Sequence, residues 1–274
     1  AAVRQFDVKE KVGKAGELLT LQVGLEYDVP AGLDRCERVF KAGAGSPADL
    51  ADIAAPGLQF IEIRVFVLIA AAVMLPGIYQ DINFTKIDRA RARAKGGFLA
   101  ANGTKLTYMP FIFKAVCNGL KANPKLNAAI DGTNVVFKKD INLGMAVALD
   151  RGLIVPVIRN ADHLNLIGLA KAANDLADRA RSKKLNPDEV KGGTFTITNP
   201  GVFGSLFGTP VINQPQVAIL GVGAIEKRPV VATDADGCDT IAIRVMSYFG
   251  ITYDHRLVDG ADADHFMNSV KKML

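Results

Sequence analysis

A histidine near the C-terminus, His255, stands in the part of the sequence best suited to chemistry. It follows an alternating, β-prone run over residues 246–253 and precedes the turn residues Asp259 and Gly260, after which a helical segment begins. A neutral imidazole titrates near pH 6.5, so it can take a proton from a thiol or a hydroxyl at neutral pH. A histidine held at the end of a strand could therefore act as a general base.

A purely structural role is the competing interpretation of this histidine. Between Asp254 and Arg256, a histidine is often no more than a satisfied polar residue. The other two histidines, His163 and His265, stand before and within predicted helices rather than at the end of a strand. This difference favours His255 as the reactive histidine, but a general base needs a partner.

A hydroxyl residue, Thr198, ends a second β-prone run and is followed by a glycine-rich loop within residues 192–210. Glycines allow a ligand to approach the backbone closely. A hydroxyl at such a strand end can donate a hydrogen bond to a developing oxyanion, and losing one such donor costs about 10²–10³ in rate. The alternative is that Thr198 only packs within a sheet.

The motif Asp-His-Arg-x-x-Asp-Gly, residues 254–260, resembles the signature of the dihydrolipoamide acyltransferase catalytic core of 2-oxo acid dehydrogenase complexes. The related chloramphenicol acetyltransferases carry a similar His-x-x-x-Asp-Gly. The Thr198 loop and the His255 motif occur in the order typical of the acyltransferases. Together with a hairpin turn at Asp150 and the run over residues 214–223, the resemblance covers roughly residues 81–274.

The resemblance implies a fold and an assembly. We expect an α/β protein with the chloramphenicol acetyltransferase-like two-layer sandwich of mixed β-sheet and helices, assembling as a homotrimer that builds a cubic or dodecahedral core. Upstream domains of the family bind the decarboxylating dehydrogenase and lipoamide dehydrogenase components. Coenzyme A is a substrate, and the lipoyl group is expected on a domain not seen in this segment.

The resemblance also implies residue roles. His255 would take the proton from coenzyme A or dihydrolipoamide, and Thr198 of a neighbouring subunit would donate its hydroxyl to the oxyanion. Asp259 would hold the site through an ion pair, for which Arg64 is the nearest N-terminal basic candidate. The residues expected to bind substrate in the loop are Asn199, Gly201 and Ser205. The residues expected to have a structural role beside the histidine are Asp254 and Arg256. No metal site is expected.

The sequence of the loop around and after Thr198 is the basis for predicting which acyl group is transferred. The loop looks most like those of succinyltransferases from 2-oxoglutarate dehydrogenase complexes of the tricarboxylic acid cycle, so succinyl transfer is favoured. Acetyl transfer in a pyruvate dehydrogenase complex stays open. A non-catalytic core scaffold and an antibiotic acetyltransferase that uses free acetyl-coenzyme A are the other candidates.

Composition and organisation limit the remaining possibilities. Of 274 residues, 33 are basic and 28 acidic, and this mild net charge of +5 predicts no nucleic-acid binding. Three widely spaced cysteines indicate a reducing compartment, and the bacterial cytoplasm is favoured over the mitochondrial matrix. The eleven apolar residues 65–75 are too few to span a membrane, which takes about 20, and predict a buried helix or strand.

The chain is predicted to contain an unassigned N-terminal segment with a linker, residues 1–57, and a catalytic domain, residues 58–274. Because the sequence opens without an initiator methionine, we expect a piece of a longer protein. The pattern predicts a strand with a helix cap, three helices, and two strands joined by a turn. The predicted strand covers 81–84, and Thr85 is expected to cap the helix that follows. The helices are predicted over 87–101, after 106–110 and over 164–183. The two strands lie within 140–158 and are joined by a turn at 150–152.

Overall fold

The computed structural model describes residues 7–9, 22–24, 77–132, 134–234 and 236–274. The chain divides into two units, residues 1–66 and 67–274. In the first unit, β1 (Asp7–Lys9) pairs with β2 (Gln22–Gly24) in antiparallel fashion. The apolar run over 65–75 and Arg64 lie outside the described residues, and the predicted domain boundary after residue 57 stays a prediction.

The second unit is built from strands and helices that alternate along the chain. Its strands are β3 (Gly77–Asn83), β4 (Ala128–Asp131), β5 (Asn134–Phe137), β6 (Leu143–Met145), β7 (Val147–Ala148), β8 (Leu153–Ile154), β9 (Val157–Ile158), β10 (Phe195–Thr198), β11 (Ala218–Val222), β12 (Glu226–Thr233) and β13 (Asp239–Tyr253). Its α-helices are α1 (Thr85–Asn102), α2 (Met109–Ala122), α3 (Leu166–Arg181) and α4 (Gly260–Met273).

Seven of these strands form one mixed sheet. The order is β12-β13-β11-β10-β6-β9, and β3 pairs with the free side of β13. Strands β6, β10 and β11 are parallel to one another, whereas β13 is antiparallel to β3, β11 and β12. Such a sheet, with helices packed on it, is the two-layer α/β arrangement that the sequence predicts.

The core lies between the sheet and the helices. Helix α2 carries apolar residues at helical spacing and buries Phe113, Val116 and Leu120 almost completely. The rings of Phe195 on the sheet and Phe266 on α4 pack with centroids 5.5 Å apart. The core helices therefore hold the sheet from one face and fix the positions of the strand ends.

Two local predictions were wrong in detail. Thr85 was expected to cap α1, but it is the first helical residue and follows the N-cap residue Phe84. Its hydroxyl instead accepts a hydrogen bond from the backbone N–H of Val245, 2.9 Å away, because α1 begins where β3 leaves the sheet beside β13. The helix itself matches the predicted span, and Gly103 ends it in the left-handed conformation.

The predicted pair of strands over residues 140–158 is divided into four short strands. Its turn is as expected, with Gly152 at a φ of 89° and Leu149 N–H donating to the Gly152 carbonyl. The pairing breaks between β8 and β9 at Pro156, which has no N–H to donate to a ladder. Helix α3 agrees with its predicted span, and it buries Leu169, Ala173, Leu176 and Ala180 as the periodicity requires. No helix among the described residues is long and apolar enough to cross a bilayer.

Candidate active site

His255 lies on a turn directly after β13, at one end of the sheet. The backbone N–H of Asp254 donates to the carbonyl of Val217 at 2.8 Å, which ties the start of this turn to the strand entering β11. The imidazole is exposed, and its ring centroid lies 5.6 Å from that of the buried Tyr253. The end of β13 therefore presents an accessible histidine, and the backbone just before this histidine is anchored in the sheet.

Asp254 and Arg256 clamp the two sides of this turn. The Arg256 guanidinium donates to both carboxylate oxygens of Asp254, with Nε to Oδ1 at 2.9 Å and Nη2 to Oδ2 at 2.6 Å. Partial burial alone would raise the pKa of Asp254, but the hydrogen bonds and the charge of Arg256 outweigh it and hold that pKa below its usual value. This two-point ion pair closes the turn on either side of His255, and the structural role expected of Asp254 and Arg256 stays a prediction.

Asp259 begins helix α4. Its carboxylate accepts a hydrogen bond from the backbone N–H of Asp262 at 2.7 Å, and the two residues form a reciprocal capping box. The Lys125 ammonium contacts Asp262 at 2.7 Å, and this hydrogen bond keeps the pKa of Asp262 low. Within the described residues Asp259 is thus a helix cap four positions after His255, and its expected ion pair with Arg64 remains a prediction.

Thr198 is the last residue of β10 and is partly buried. It stands opposite Gly221 of β11, while the residue before it, Ile197, pairs with Met145 of β6. Among the described residues, no side chain takes up the Thr198 hydroxyl in a hydrogen bond. In contrast, Thr196 on the same face is buried and donates to Gln216 Oε1 at 2.6 Å.

The glycine-rich loop after Thr198 folds back against the end of β11. A Cβ built on Gly201 would lie 2.3 Å from the carbonyl carbon of Gly223, so only glycine fits there. The backbone N–H of Ala224 donates to the Ser205 carbonyl at 2.9 Å, and the Asn199 amide contacts Met109 Sδ at 3.4 Å. These contacts give Asn199, Gly201 and Ser205 roles in shaping the loop, and their contacts with substrate stay predictions.

The sequence analysis missed the strand glycines on which the glycine-rich loop packs. Gly221 and Gly250 are directly opposite each other in the sheet, and a Cβ on Gly250 would lie 2.5 Å from the Tyr79 ring. The Gly208 carbonyl lies 3.3 Å from the same Cβ position. Glycine inside a strand is a signal for close backbone approach, and it could have indicated where the loop packs.

Thr198 and His255 lie towards opposite ends of the sheet within one chain. Thr198 is in register with Gly221, and Gly221 with Gly250, so the way to His255 crosses two strands and then follows β13 to its end. Two strand spacings of about 4.8 Å and three residues of about 3.3 Å already place Tyr253 about 14 Å from Thr198. The strand register therefore holds Thr198 and His255 well apart within one chain.

The cysteines do not offer a nucleophile within the described residues. Cys117 is fully buried in α2, and burial, with a smaller effect of Asp162, raises the pKa of its thiol to about 12. Cys238 is exposed on the turn between β12 and β13. Neither thiol lies in the His255 turn or the Thr198 loop, which agrees with a site built from a base and a hydrogen-bond donor.

Comparison with known families identifies the class to which this fold and these motifs belong. Residues 72–274 match the family described as 2-oxoacid dehydrogenases acyltransferase (catalytic domain). The chain belongs to this family. The matched residues include both the Thr198 loop and the His255 turn. Both motifs therefore lie within the catalytic domain of the family that suggested their roles.

Curated relatives fall in two branches of the family. The acetyltransferase component of the pyruvate dehydrogenase complex of Mycobacterium bovis is 48% identical over 197 residues, which are 71% of this chain and 36% of that protein. The succinyltransferase component of the 2-oxoglutarate dehydrogenase complex of Bartonella vinsonii is 45% identical over 196 residues, 72% of this chain and 46% of that protein. The chain thus spans between a third and a half of the length of these relatives.

Solved structures confirm the predicted fold. A probable dihydrolipoamide acetyltransferase from Listeria monocytogenes superposes with a TM-score of 0.70 at 34% identity, covering 80% of this chain and 92% of that one. The dihydrolipoamide acetyltransferase of Azotobacter vinelandii gives 0.68 at 33% identity, covering 84% and 96%. That structure was studied for the catalytic roles of a serine, a histidine and an asparagine four residues after the histidine.

Proposed function

We propose that this chain transfers an acyl group between dihydrolipoamide and coenzyme A, with His255 as general base and Thr198 as oxyanion donor. The observation that carries the proposal is the His255 turn. An exposed imidazole is held there on a strand end by the Asp254–Arg256 clamp, in a chain of the acyltransferase family. His255 and Asp259 also have the four-residue spacing of the histidine and asparagine studied in the Azotobacter vinelandii enzyme.

The reaction follows from these two groups. His255 takes the proton from the incoming thiol, and the thiolate attacks the thioester carbonyl to form a carbon–sulfur bond. Thr198 donates its hydroxyl hydrogen to the resulting oxyanion. The intermediate then collapses and breaks the original carbon–sulfur bond, and the departing thiolate takes the proton back from the imidazolium. Because a thioester is exchanged for a thioester, proton transfer and oxyanion stabilisation are the two tasks of the enzyme.

The site is completed by a second copy of the chain. Since Thr198 and His255 lie towards opposite ends of the sheet, the threonine of one copy must meet the histidine of its neighbour. This requirement supports the homotrimer that the family resemblance implies. A related chain from a pyruvate dehydrogenase complex, 34% identical over 84% of this chain, forms a cubic core. Assembly into a cubic or dodecahedral core, with decarboxylating dehydrogenase and lipoamide dehydrogenase as partners, is part of the proposal.

The acyl group is proposed to be succinyl, with acetyl as the second candidate. The Thr-Ile-Thr-Asn loop at residues 196–199 supports succinyl transfer, while the 48% identity to the Mycobacterium bovis acetyltransferase component favours acetyl. Asp259 would support the site by fixing the start of α4. A cytoplasmic location in a bacterium is proposed over the mitochondrial matrix, since both branches include bacterial relatives, while the mitochondrial relatives that also match belong to the succinyltransferase branch.

Acyl transfer with succinyl- and acetyl-dihydrolipoamide as parallel donors tests the proposal. His255→Ala should lower kcat by at least about 10², since it removes the general base. Thr198→Ala should lower kcat by about 10²–10³, while Thr198→Ser keeps the donor and most of the activity. His265→Ala, on the exposed side of α4, is the matched control and should leave the rate unchanged. Full activity of His255→Ala would contradict the mechanism and return the chain to a scaffold role.

A further inference from the structure

A hydrogen bond between two buried side chains lies next to the proposed oxyanion donor. The Thr196 hydroxyl donates to Gln216 Oε1 at 2.6 Å, and the two residues are 1% and 6% exposed. Thr196 precedes Thr198 by two residues on β10, so both threonines project from the same face of the sheet. Among the described residues, this is the only hydrogen bond that joins two side chains in the buried interior.

Two glycines leave the room that this hydrogen bond occupies. A Cβ built on Gly144 of β6 would lie 2.9 Å from Thr196 Oγ1, and a Cβ built on Gly193 would lie 3.0 Å from Gln216 Nε2. Both distances are shorter than nine in ten of the contacts that real Cβ atoms make. The sequence therefore leaves space for both ends of the hydrogen bond, once within β6 and once just before β10.

Gln216 also connects this strand to the His255 turn of the same chain. It directly precedes Val217, whose carbonyl accepts a hydrogen bond from the backbone N–H of Asp254 at 2.8 Å. The backbone N–H of Gln216 itself donates to the Asn213 carbonyl at 3.2 Å. The residue is therefore held through its side chain by β10, and its neighbour along the chain is held by the His255 turn.

Stability alone does not require a polar pair at this place. Burying a donor and an acceptor removes water from both, so the net gain is small, and two apolar side chains of similar shape are about as stable. A buried hydrogen bond does select one arrangement, because its donor and acceptor must meet at a set distance and angle. The particular contribution of such a pair is therefore the relative placement of the strands that carry it.

We propose that Thr196 and Gln216 are positioning residues of the acyl transfer site, and that their hydrogen bond holds Thr198 in place at the end of β10. The pairing of β10 with β11 covers only three residues, from Thr196 to Thr198, so the strand end has few other ties. Both side chains are buried and act through Thr198 rather than on the substrate. The proposal rests on the proposed function, because it concerns the placement of the oxyanion donor.

An apolar pair, Thr196→Val with Gln216→Met, separates positioning from packing. It removes the hydrogen bond at similar volume, so the urea midpoint should stay close to that of the wild type. The kcat should fall at least about 10-fold with KM changed less than about twofold, because a misplacement of about 1 Å costs about 10². Thr196→Ser keeps the hydroxyl and should retain at least about half of the wild-type kcat.

A second threonine–amide pair supplies the matched control. Asn174 of α3 donates to Thr104 Oγ1 at 2.7 Å, and Thr104→Val with Asn174→Leu should leave kcat unchanged. A folded Thr196–Gln216 apolar pair with the wild-type kcat would overturn the proposal. An apolar pair that does not fold would also overturn it, since the hydrogen bond would then be a requirement of folding.

A double-mutant cycle identifies the group on which the pair acts. In a Thr198→Ala background the donor is already absent, so the apolar pair should lower kcat by less than about a further twofold. A further loss as large as that seen with Thr198 present would overturn the proposal, since the pair would then act elsewhere.

Hydrogen exchange tests the placement of the strand end without any activity. In mass spectrometry, the segment 195–203 of the apolar pair should exchange at least about threefold faster than in the wild type, while α3 exchanges at the wild-type rate. Unchanged exchange of 195–203 would overturn the proposal. Failure of the proposed function is distinguishable, because the wild-type chain would then transfer no acyl group whatever its exchange rate.

Discussion

A methyl group added at Gly201 should misplace the oxyanion donor. The Cβ of Gly201→Ala would lie 2.3 Å from the carbonyl carbon and oxygen of Gly223, whereas real Cβ atoms essentially never approach other heavy atoms to less than 3.0 Å. The obstructing atoms are backbone atoms of Gly223 and Ala224, the two residues that follow β11, so the loop must move by at least about 0.7 Å instead. Because the loop begins at the residue directly after Thr198, its displacement should also shift Thr198 at the end of β10.

The expected kinetic effect is large because catalysis depends on placement. A misplacement of about 1 Å costs about 10² in rate, so kcat for acyl transfer should fall by about that factor with a small change in KM. Gly208→Ala in the same loop is the matched control, since its Cβ would meet only Pro200 at 3.6 Å, an ordinary contact. A Gly201→Ala enzyme as active as Gly208→Ala, and as stable as wild type, would refute the reasoning.

Two further predictions concern pH and thiol reactivity. The lowered pKa of Asp254 means that its ion pair with Arg256 stabilises the fold above about pH 4 and is lost as the pH falls through that lowered value. Asp254→Asn should therefore destabilise the fold by about 1 kcal/mol in urea unfolding at pH 7, and this difference should shrink progressively as the pH falls below 4. A difference that does not shrink below pH 4 would contradict this prediction. The second prediction is tested in a Cys36→Ser variant at pH 8, where the exposed Cys238 should react with a thiol reagent within minutes. The buried Cys117, whose pKa is about 12, should react only when the protein unfolds. Rapid modification of both thiols would contradict this prediction and show that α2 opens.

The fold class and the helices could be predicted from the sequence because their signals are local. The periodicity of α3, the glycine that ends α1 and the turn at Gly152 each depend on a few neighbouring residues. The cap of α1 could not be predicted, because the Thr85 hydroxyl accepts a hydrogen bond from the backbone N–H of Val245, a residue 160 positions away. Likewise, the break after β8 reflects Pro156 within a run that otherwise reads as continuous strand.

The residue types of the candidate site could be proposed from the sequence, but the distance between them within one chain could not. The motifs around Thr198 and His255 indicate a donor and a base, and the family resemblance implies that they come from neighbouring subunits. The separation of the two groups depends on strand order, since β10, β11 and β13 meet across long stretches of chain.

The measurement that tests the central claim most directly is complementation between two inactive chains. His255→Ala and Thr198→Ala chains, expressed together in equal amounts, should regain about a quarter of the wild-type acyl transfer rate, because each site draws its threonine and its histidine independently from two copies. Wild-type chains expressed with equal amounts of the double variant should also show about a quarter, whereas a site within one chain would give about half. A mixture of the two single variants that stays near the rate of either alone would contradict a site shared between copies.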